Sequence, residues 1–233
     1  MVFLVLQFYT TLHSAQRYYS TSPQPYTKPY SILHSAQRYY TMHYLIFNDM
    51  TQCGEQEVAR LLPLVSEQRR EQALRYTHTF GQYCCLKSYE MLLHLLVSTP
   101  YTLRATPTFL YNEHGAPYLQ DGPCFSISHC KQGIAAAVRD LPIGIDIEGL
   151  RKVDEALVRK TMNQEEQSQI AMSQNPEVEF IRLWTRKEAY VKMLGTGIIS
   201  DMHGILSDVS SVQWHEITDL DRGYICTICT KNE

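Results

Sequence analysis

Ile143-Gly144-Ile145-Asp146-Ile147-Glu148 is the stretch on which the fold turns. Successive strand residues point to opposite faces, so Ile143, Ile145 and Ile147 share one side while Gly144, Asp146 and Glu148 share the other. An unbroken isoleucine face has to lie against a core, and the opposite face then carries two carboxylates side by side. Like charges at that spacing repel and are costly to desolvate. A hard cation resolves the conflict, because Mg²⁺ takes one or two carboxylates together with substrate phosphates. Gly144, lacking a side chain, is expected to leave room beside the acids. Two solvated acids on an exposed strand face would give the same pattern, so the hexapeptide alone leaves both readings open.

The neighbouring sequence extends this strand into a fold. Upstream, Phe125-Ser126-Ile127-Ser128 alternates, Cys130-Lys131-Gln132-Gly133 turns the chain, and Ile134-Ala135-Ala136-Ala137-Val138 returns towards Asp140-Leu141-Pro142. Downstream, helices are expected over about residues 153–161, 164–173 and 176–194, followed by antiparallel strands at 212–217 and 224–229. Nearer the N-terminus, residues 55–64 predict a short helix, and Ser66 followed by acidic residues predicts the start of another. Leu86, Leu92, Leu93 and Leu96 mark a strong helix over 80–97, and Phe109-Leu110-Tyr111 a strand leading into a turn at 112–117. Strand groups and helix groups are segregated, which points to an α+β fold.

A second cluster of functional residues lies on the long helix, in Trp184-Thr185-Arg186-Lys187-Glu188-Ala189-Tyr190-Val191-Lys192. Glu188 falls within the apolar stripe of Ile181, Trp184 and Val191, four residues after Trp184. Lys192 follows Glu188 by one turn and lies on the same side. An ordinary Glu–Lys helix pair reads the same way; the acid pair on the earlier strand makes Glu188 a candidate third ligand. Gly195-Thr196-Gly197 ends the helix and allows close backbone approach to a ligand. Ser128-His129, at a strand end beside Lys131, can meet a phosphate. Arg69, Arg70, Arg75 and Lys87 are further phosphate-binding residue types, although such side chains on a helix face are usually just solvated.

Composition narrows the function classes. The chain has 233 residues, 44% of them apolar, with a net charge of -3. That suffices for one large domain or two small ones and gives no polyanion-binding surface, so nucleic acid is not an expected partner. Seven cysteines, an odd number at irregular spacing, imply free thiols in a cytoplasmic protein and no disulfide framework. Cys226 and Cys229 lie in a strand-like run where positions three apart face opposite sides, so they read as core thiols. No apolar run approaches the ~20 residues of a membrane span. The apolar start from Met1 to Phe8 lacks a basic segment and a cleavage site, so it does not read as a signal peptide.

Leu12-His13-Ser14-Ala15-Gln16-Arg17-Tyr18-Tyr19 recurs unchanged as Leu33-His34-Ser35-Ala36-Gln37-Arg38-Tyr39-Tyr40. Structural repeats diverge and need about three copies to bury a core. Residues 1–41 are therefore read as a disordered or non-native extension, with Met42 as the functional start.

These motifs together resemble the 4'-phosphopantetheinyl transferases of the surfactin-synthetase-activating type. The resemblance rests on Gly115-Ala116-Pro117, Phe125-Ser126-Ile127-Ser128-His129, Gly144-Ile145-Asp146-Ile147-Glu148, and Trp184 through Lys192 with Gly195 and Gly197, in family order and spacing. It implies an α+β fold of two similar subdomains, residues 42–140 and 141–233, related by a pseudo-twofold, with coenzyme A in the cleft between them and the metal site in the second. Asp146, Glu148 and Glu188 are implied metal ligands for Mg²⁺, with Mn²⁺ as the alternative. Lys187, Lys192, Ser128 and His129 are implied contacts to coenzyme phosphates, Gly115 and Pro117 belong to the coenzyme-side turn, and Arg69 and Lys87 lie where the family grips the 3'-phosphate. Glu188 is the implied base, Glu148 its rival, and Lys192 the third catalytic group. The implied partner is an apo acyl carrier protein, or a carrier domain of a polyketide or nonribosomal peptide synthase, met by a cytoplasmic monomer. Ala116 stands where the family often has Lys, and Ser126 where it has Asn. A coenzyme A-binding protein without transfer activity is one alternative; three metal ligands argue against it. A metal-dependent phosphohydrolase is another, but no water-activating His or further Asp is evident near the acids.

Overall fold

Two three-stranded antiparallel sheets lie at the centre of the molecule in the computed structural model, which describes residues 42–98, 107–197 and 201–232. The exact repeat and the proposed start of the functional chain fall at or before the first of these boundaries, so residues 1–41 lie outside the described residues. The first sheet contains β1 (His43–Phe47), β4 (Cys124–Cys130) and β5 (Gly133–Arg139), in the order β1-β5-β4. The second contains β6 (Ile143–Gly149), β7 (Val212–Asp219) and β8 (Tyr224–Lys231), in the order β6-β8-β7. Helices α1 (Glu55–Leu61), α2 (Glu67–Leu74) and α3 (Thr79–Ser98) connect β1 to the rest of the first sheet, by way of a small hairpin, β2 (Leu110–Tyr111) and β3 (Pro117–Tyr118). Helices α4 (Glu155–Thr161), α5 (Gln164–Met172) and α6 (Pro176–Leu194) connect β6 to β7. Apart from the β2–β3 hairpin, which only the first half has, each half runs strand, three helices, two strands, and in each the last strand sits in the middle of its sheet. This is a mixed helix-and-sheet fold of the α+β class.

Local chemistry sets most element boundaries. The helix expected over 55–64 ends its α-helical part at Leu61 and continues as a 3-10 turn, Leu62–Leu64. Pro63 explains the change, since its ring clashes with the preceding turn and its nitrogen has no proton to donate. Ser66 caps α2 by accepting from the Arg69 amide. Asp154 caps α4, and Asn163 with Glu166 forms a reciprocal capping box on α5. Gly195 ends α6 with φ +65°, a left-handed conformation that glycine adopts without steric cost.

Strand alternation then distributes the core. On β5, Ile134, Ala136 and Val138 face α3 and pack with Leu45 and Phe47 of β1. Ala135 and Ala137 face the other way, with Tyr44 and Ile46, and meet Ile143, Ile145 and Ile147 of β6 and Cys226 and Ile228 of β8. The isoleucine stripe of the deciding hexapeptide is therefore buried between the two sheets. Burying each such side chain stabilises by about 1.5–3 kcal/mol. The alanines opposite are small enough to let the sheets close. Cys229 turns to the far face, against Met193 of α6, so the C-x-x-C thiols are separated by their own strand. All seven thiols are free.

Edge strands β4 and β6 run beside one another, and Ser126 Oγ accepts the Ile145 amide proton at 3.0 Å. On its other face β6 lies directly under α6. A Cβ built on Gly144 would sit 1.8 Å from the Ala189 carbonyl oxygen and 2.6 Å from the Met193 amide. The expected free space beside the acids is thus occupied by helix backbone. Gly144 lets the helix approach the strand, because any side chain there would collide with backbone that has nowhere to move. Gly144→Val is expected to destabilise the protein by at least about 1–3 kcal/mol, the usual cost of overpacking. Urea unfolding checks this; an unchanged midpoint would show that α6 can stand off from β6.

Candidate active site

Asp146 projects from β6 towards α6 and is 4% exposed. Lys192 Nζ donates to Asp146 Oδ1 at 2.7 Å and to the Ile145 carbonyl at 3.2 Å. Ser128 Oγ, at the end of β4, donates to the same carboxylate oxygen at 2.8 Å. Asp146 Oδ2 is buried and has no hydrogen-bond partner among the described groups. A buried carboxylate oxygen without a donor is costly, and a cation would satisfy it.

Glu148 lies two residues further along the same strand face. Arg151 Nη1 donates to its Oε2 at 2.9 Å, and Arg151 together with the Trp184 side chain favours its charged form. Glu188 reaches the region from α6, half-buried, and of the three acids it alone has no ion pair among the described residues. Burial raises the pKa of Glu148 and of Glu188, and the Asp146 charge raises each further. The Asp146 charge thus disfavours ionisation of Glu148 and of Glu188, as expected where like charges are gathered for a cation. Among the described residues no three His, Cys, Asp or Glu side chains are gathered tightly enough to hold a metal ion as they stand. In place of such a cluster, Lys192 and Arg151 already bear on two of the acids.

His129 follows Ser128 with its ring 6.3 Å from that of Phe80. His129 is exposed at the surface, yet partial desolvation by its surroundings, then the cations Lys192 and Arg69, lower its pKa, which favours the neutral imidazole that can donate one hydrogen bond. The β2–β3 hairpin closes one side. Its turn uses Gly115 at φ +79°, and Pro117 opens β3. Asn112 Nδ2 donates to the Gly195 carbonyl at 2.8 Å, docking the hairpin on the end of α6. A Cβ on Gly197 would sit 2.6 Å from the His114 carbonyl oxygen. The close backbone approach expected at Gly195-Thr196-Gly197 is therefore made by this hairpin.

Three residues expected at coenzyme phosphates are elsewhere. Lys187 is 0% exposed, and its ammonium donates to Glu166 Oε2 at 2.6 Å, to the Met202 carbonyl at 2.7 Å and to the Thr161 carbonyl at 2.9 Å. Adjacent helix residues point about 100° apart, so Glu188 and Lys187 cannot both face the site. Arg69 is buried, with its guanidinium donating to the Cys85 carbonyl, Ser88 and Gln72, each at 2.9 Å, and packing against the rings of Tyr89 and Phe109. Lys87 is buried as well, bonded to Glu90 at 2.7 Å and lying 4.6 Å from the centre of the Phe47 ring. Each spends its charge inside the fold. Two residues escaped the sequence reading. Arg151 left only the signal of a cation three places after Glu148. Glu166 had a signal in its place three residues after Asn163, the capping-box spacing, but nothing local names Lys187 as its partner.

Residues 142–229, which include β6 and its acids, match the model of the 4'-phosphopantetheinyl transferase superfamily. The chain is 29% identical over 168 residues to the 4'-phosphopantetheinyl transferase ffp of Bacillus subtilis, covering 70% of this chain and 72% of that one. It is 26% identical over 180 residues to the gsp transferase of Aneurinibacillus migulanus, covering 71% and 76%. With the Sfp transferase of Bacillus subtilis strain 168 the identity is 25% over 194 residues, covering 76% and 86%. The chain belongs to the 4'-phosphopantetheinyl transferases, of the surfactin-synthetase-activating type.

Lys187→Met should cost about 3–5 kcal/mol in stability, because it leaves Glu166 as an uncompensated buried charge. Lys187→Met combined with Glu166→Met should recover most of that loss. Urea denaturation of the two variants checks this; if the single variant is as stable as the parent, the buried ion pair is not structural.

Proposed function

We propose that this enzyme moves the 4'-phosphopantetheine arm of coenzyme A onto a serine of an apo acyl or peptidyl carrier protein, with Mg²⁺ bound, and releases 3',5'-ADP. The observation that carries this reading is the partnerless, buried Asp146 Oδ2 beside two further acids of raised pKa. Asp146, Glu148 and Glu188 would hold the metal, Mn²⁺ satisfying the same donors, and when bound it supplies charge neutralisation for the diphosphate. Kinship with transferases acting on a phosphopantetheinyl group supports coenzyme A as the donor. The repeated connectivity of the two halves supports a pseudo-twofold with the coenzyme in the cleft between them. A cytoplasmic monomer fits this reading.

The chain's own side chains divide the work. Ser128 holds Asp146 in place, while Lys192 keeps positive charge at the acids and can share it with a phosphate. His129, neutral, offers one hydrogen bond to a phosphate oxygen. The carrier serine hydroxyl is the nucleophile: its oxygen bonds to phosphorus, the bond to the 3',5'-ADP oxygen breaks, and the serine proton passes to a base. Glu188 is the better base: its pKa is raised, as that of Glu148 is, but among the described residues it has no ion pair, and Lys192 acts on it only at longer range. Glu148 is tied to Arg151.

Asp146→Asn keeps an acceptor for Ser128 and removes the charge. It should retain the fold by circular dichroism and lose transfer by ~10²–10³-fold or more. The assay is mass spectrometry of an apo-carrier incubated with coenzyme A and Mg²⁺; a rate within tenfold of the parent would refute the assignment. Metal affinity should also rise with pH. Glu148 and Glu188 keep their protons to a higher pH than the usual 4.5, and a proton on either must leave before the oxygen can bind a cation. Calorimetry with MgCl₂ at about pH 5 and about pH 7.5 should give the tighter binding at the higher pH, and equal affinities would remove these two acids from the ligand set.

A further inference from the structure

Arg151 stands outside every motif that carries the family likeness, yet it is the cation on Glu148. The two residues are joined by a loop that leaves β6 in a defined direction. The Leu150 amide donates to the Gly223 carbonyl at 2.8 Å, and Leu150 packs against the Ile225 and Phe180 cluster. Gly149, just before it, passes so close to Gln132 that a Cβ would lie 2.0 Å from the Gln132 Oε1. The backbone between the two residues is therefore held, and only the Arg151 side chain has to be ordered to close the 2.9 Å contact. The guanidinium itself remains about half exposed, so it can leave without disturbing the core. On the buried side of the same acid group, Asp146 Oδ2 still lacks any partner. The site therefore holds one acid neutralised by a removable cation and another with an oxygen that no protein group satisfies.

We propose that Arg151 is a built-in counter-ion of the metal site, holding Glu148 while the metal is absent and leaving it when a divalent cation binds. The exchange rests on the reading of Asp146, Glu148 and Glu188 as metal ligands, and it adds a regulating residue to that site. Two like charges cannot both sit on Glu148 at low cost, so a cation arriving between Glu148 and Asp146 repels the guanidinium. Lys192 is placed differently: its ammonium also donates to the Ile145 carbonyl, which ties it to the strand whatever occupies the acids. Arg151 has no hydrogen bond besides Glu148 among those of the described residues, so it is the cation that moves. Once released, its guanidinium faces solvent at the mouth of the site and carries a free fork of donors suited to an anionic group.

The experiment uses the full chain, ¹⁵N-labelled at arginine, titrated with MgCl₂ alone. The Arg151 side-chain Nε–H signal is assigned by its loss in Arg151→Gln. On adding Mg²⁺ it should move to the position of a solvent-exposed arginine. In calorimetry, Arg151→Gln should bind Mg²⁺ about two- to fivefold more tightly than the parent, the scale set by a surface ion pair. Arg151→Lys, which keeps the charge but not the fork, should fall nearer the parent. If Mg²⁺ binds the parent and the Arg151 signal stays where it was, the exchange is overturned and the metal ligands stand. A tighter Arg151→Gln with an unmoved signal also overturns it, since that outcome reflects only the net charge. If the parent gives no Mg²⁺ binding at all, the metal reading fails and the exchange with it.

Discussion

The approach of the α6 backbone to β6 at Gly144 is the constraint on which the site depends. A helix usually packs on a sheet through two layers of side chains. Here one of those layers is missing at one point, and helix and strand backbones come within reach of a single missing Cβ. Two consequences follow from this proximity. Lys192 can bond at once to a strand carbonyl and to Asp146. Glu188, one turn earlier on the same helix face, comes near the acids of β6, so that their charges raise its pKa after burial itself. The chemistry of the site is thus the by-product of a packing decision made by a residue with no chemistry.

Charge in this molecule is sorted by depth. Three of the buried cations, Lys187, Arg69 and Lys87, are consumed by carbonyls, carboxylates and aromatic rings inside the two halves. Such groups cannot be both structural anchors and ligands for a mobile substrate, because a buried cation stripped of its partners is left as an uncompensated charge in the interior. Lys192 and Arg151 lie shallower, at 30% and 47% side-chain exposure, and these are the cations that stand at the acids. The gradient separates groups that hold the fold from groups that can exchange partners.

The two halves repeat one path of strand, three helices and two strands, yet only the second carries acids on its first strand. In β1 the equivalent stretch is His43-Tyr44-Leu45-Ile46-Phe47, apolar on both faces because it is covered by α3 on one side and by the other sheet on the other. In β6 the second face is not closed over completely, and polar groups survive there. The first half contributes from its edge: Ser126 caps an amide of β6, and Ser128 steadies Asp146. The acid group therefore belongs to one half but is positioned by both.

Much of this was legible in the chain itself. Period-two alternation in 143–148 placed the isoleucines in a core and the acids opposite, and the structure agrees because alternation is a property of the strand backbone alone. Ser66 and Gly195 marked helix boundaries because their effects are local, whereas the helix expected over 55–64 ran through Pro63, where the α-helical part stops. The opposite faces of Cys226 and Cys229 came from the same alternation. The spacing of Trp184, Glu188 and Lys192 was enough to set three side chains on one helix face. What the chain could not disclose is which cations would be buried. Arg69, Lys87 and Lys187 look like phosphate ligands in sequence, and only tertiary packing brings Cys85, Glu90, Glu166 and Met202 to them. Gly144 likewise reads as open space until α6 fills it. Local periodicity determines the face a residue shares, because that depends on the geometry of its own element; what occupies that face depends on partners distant in sequence, and only the folded chain brings them together.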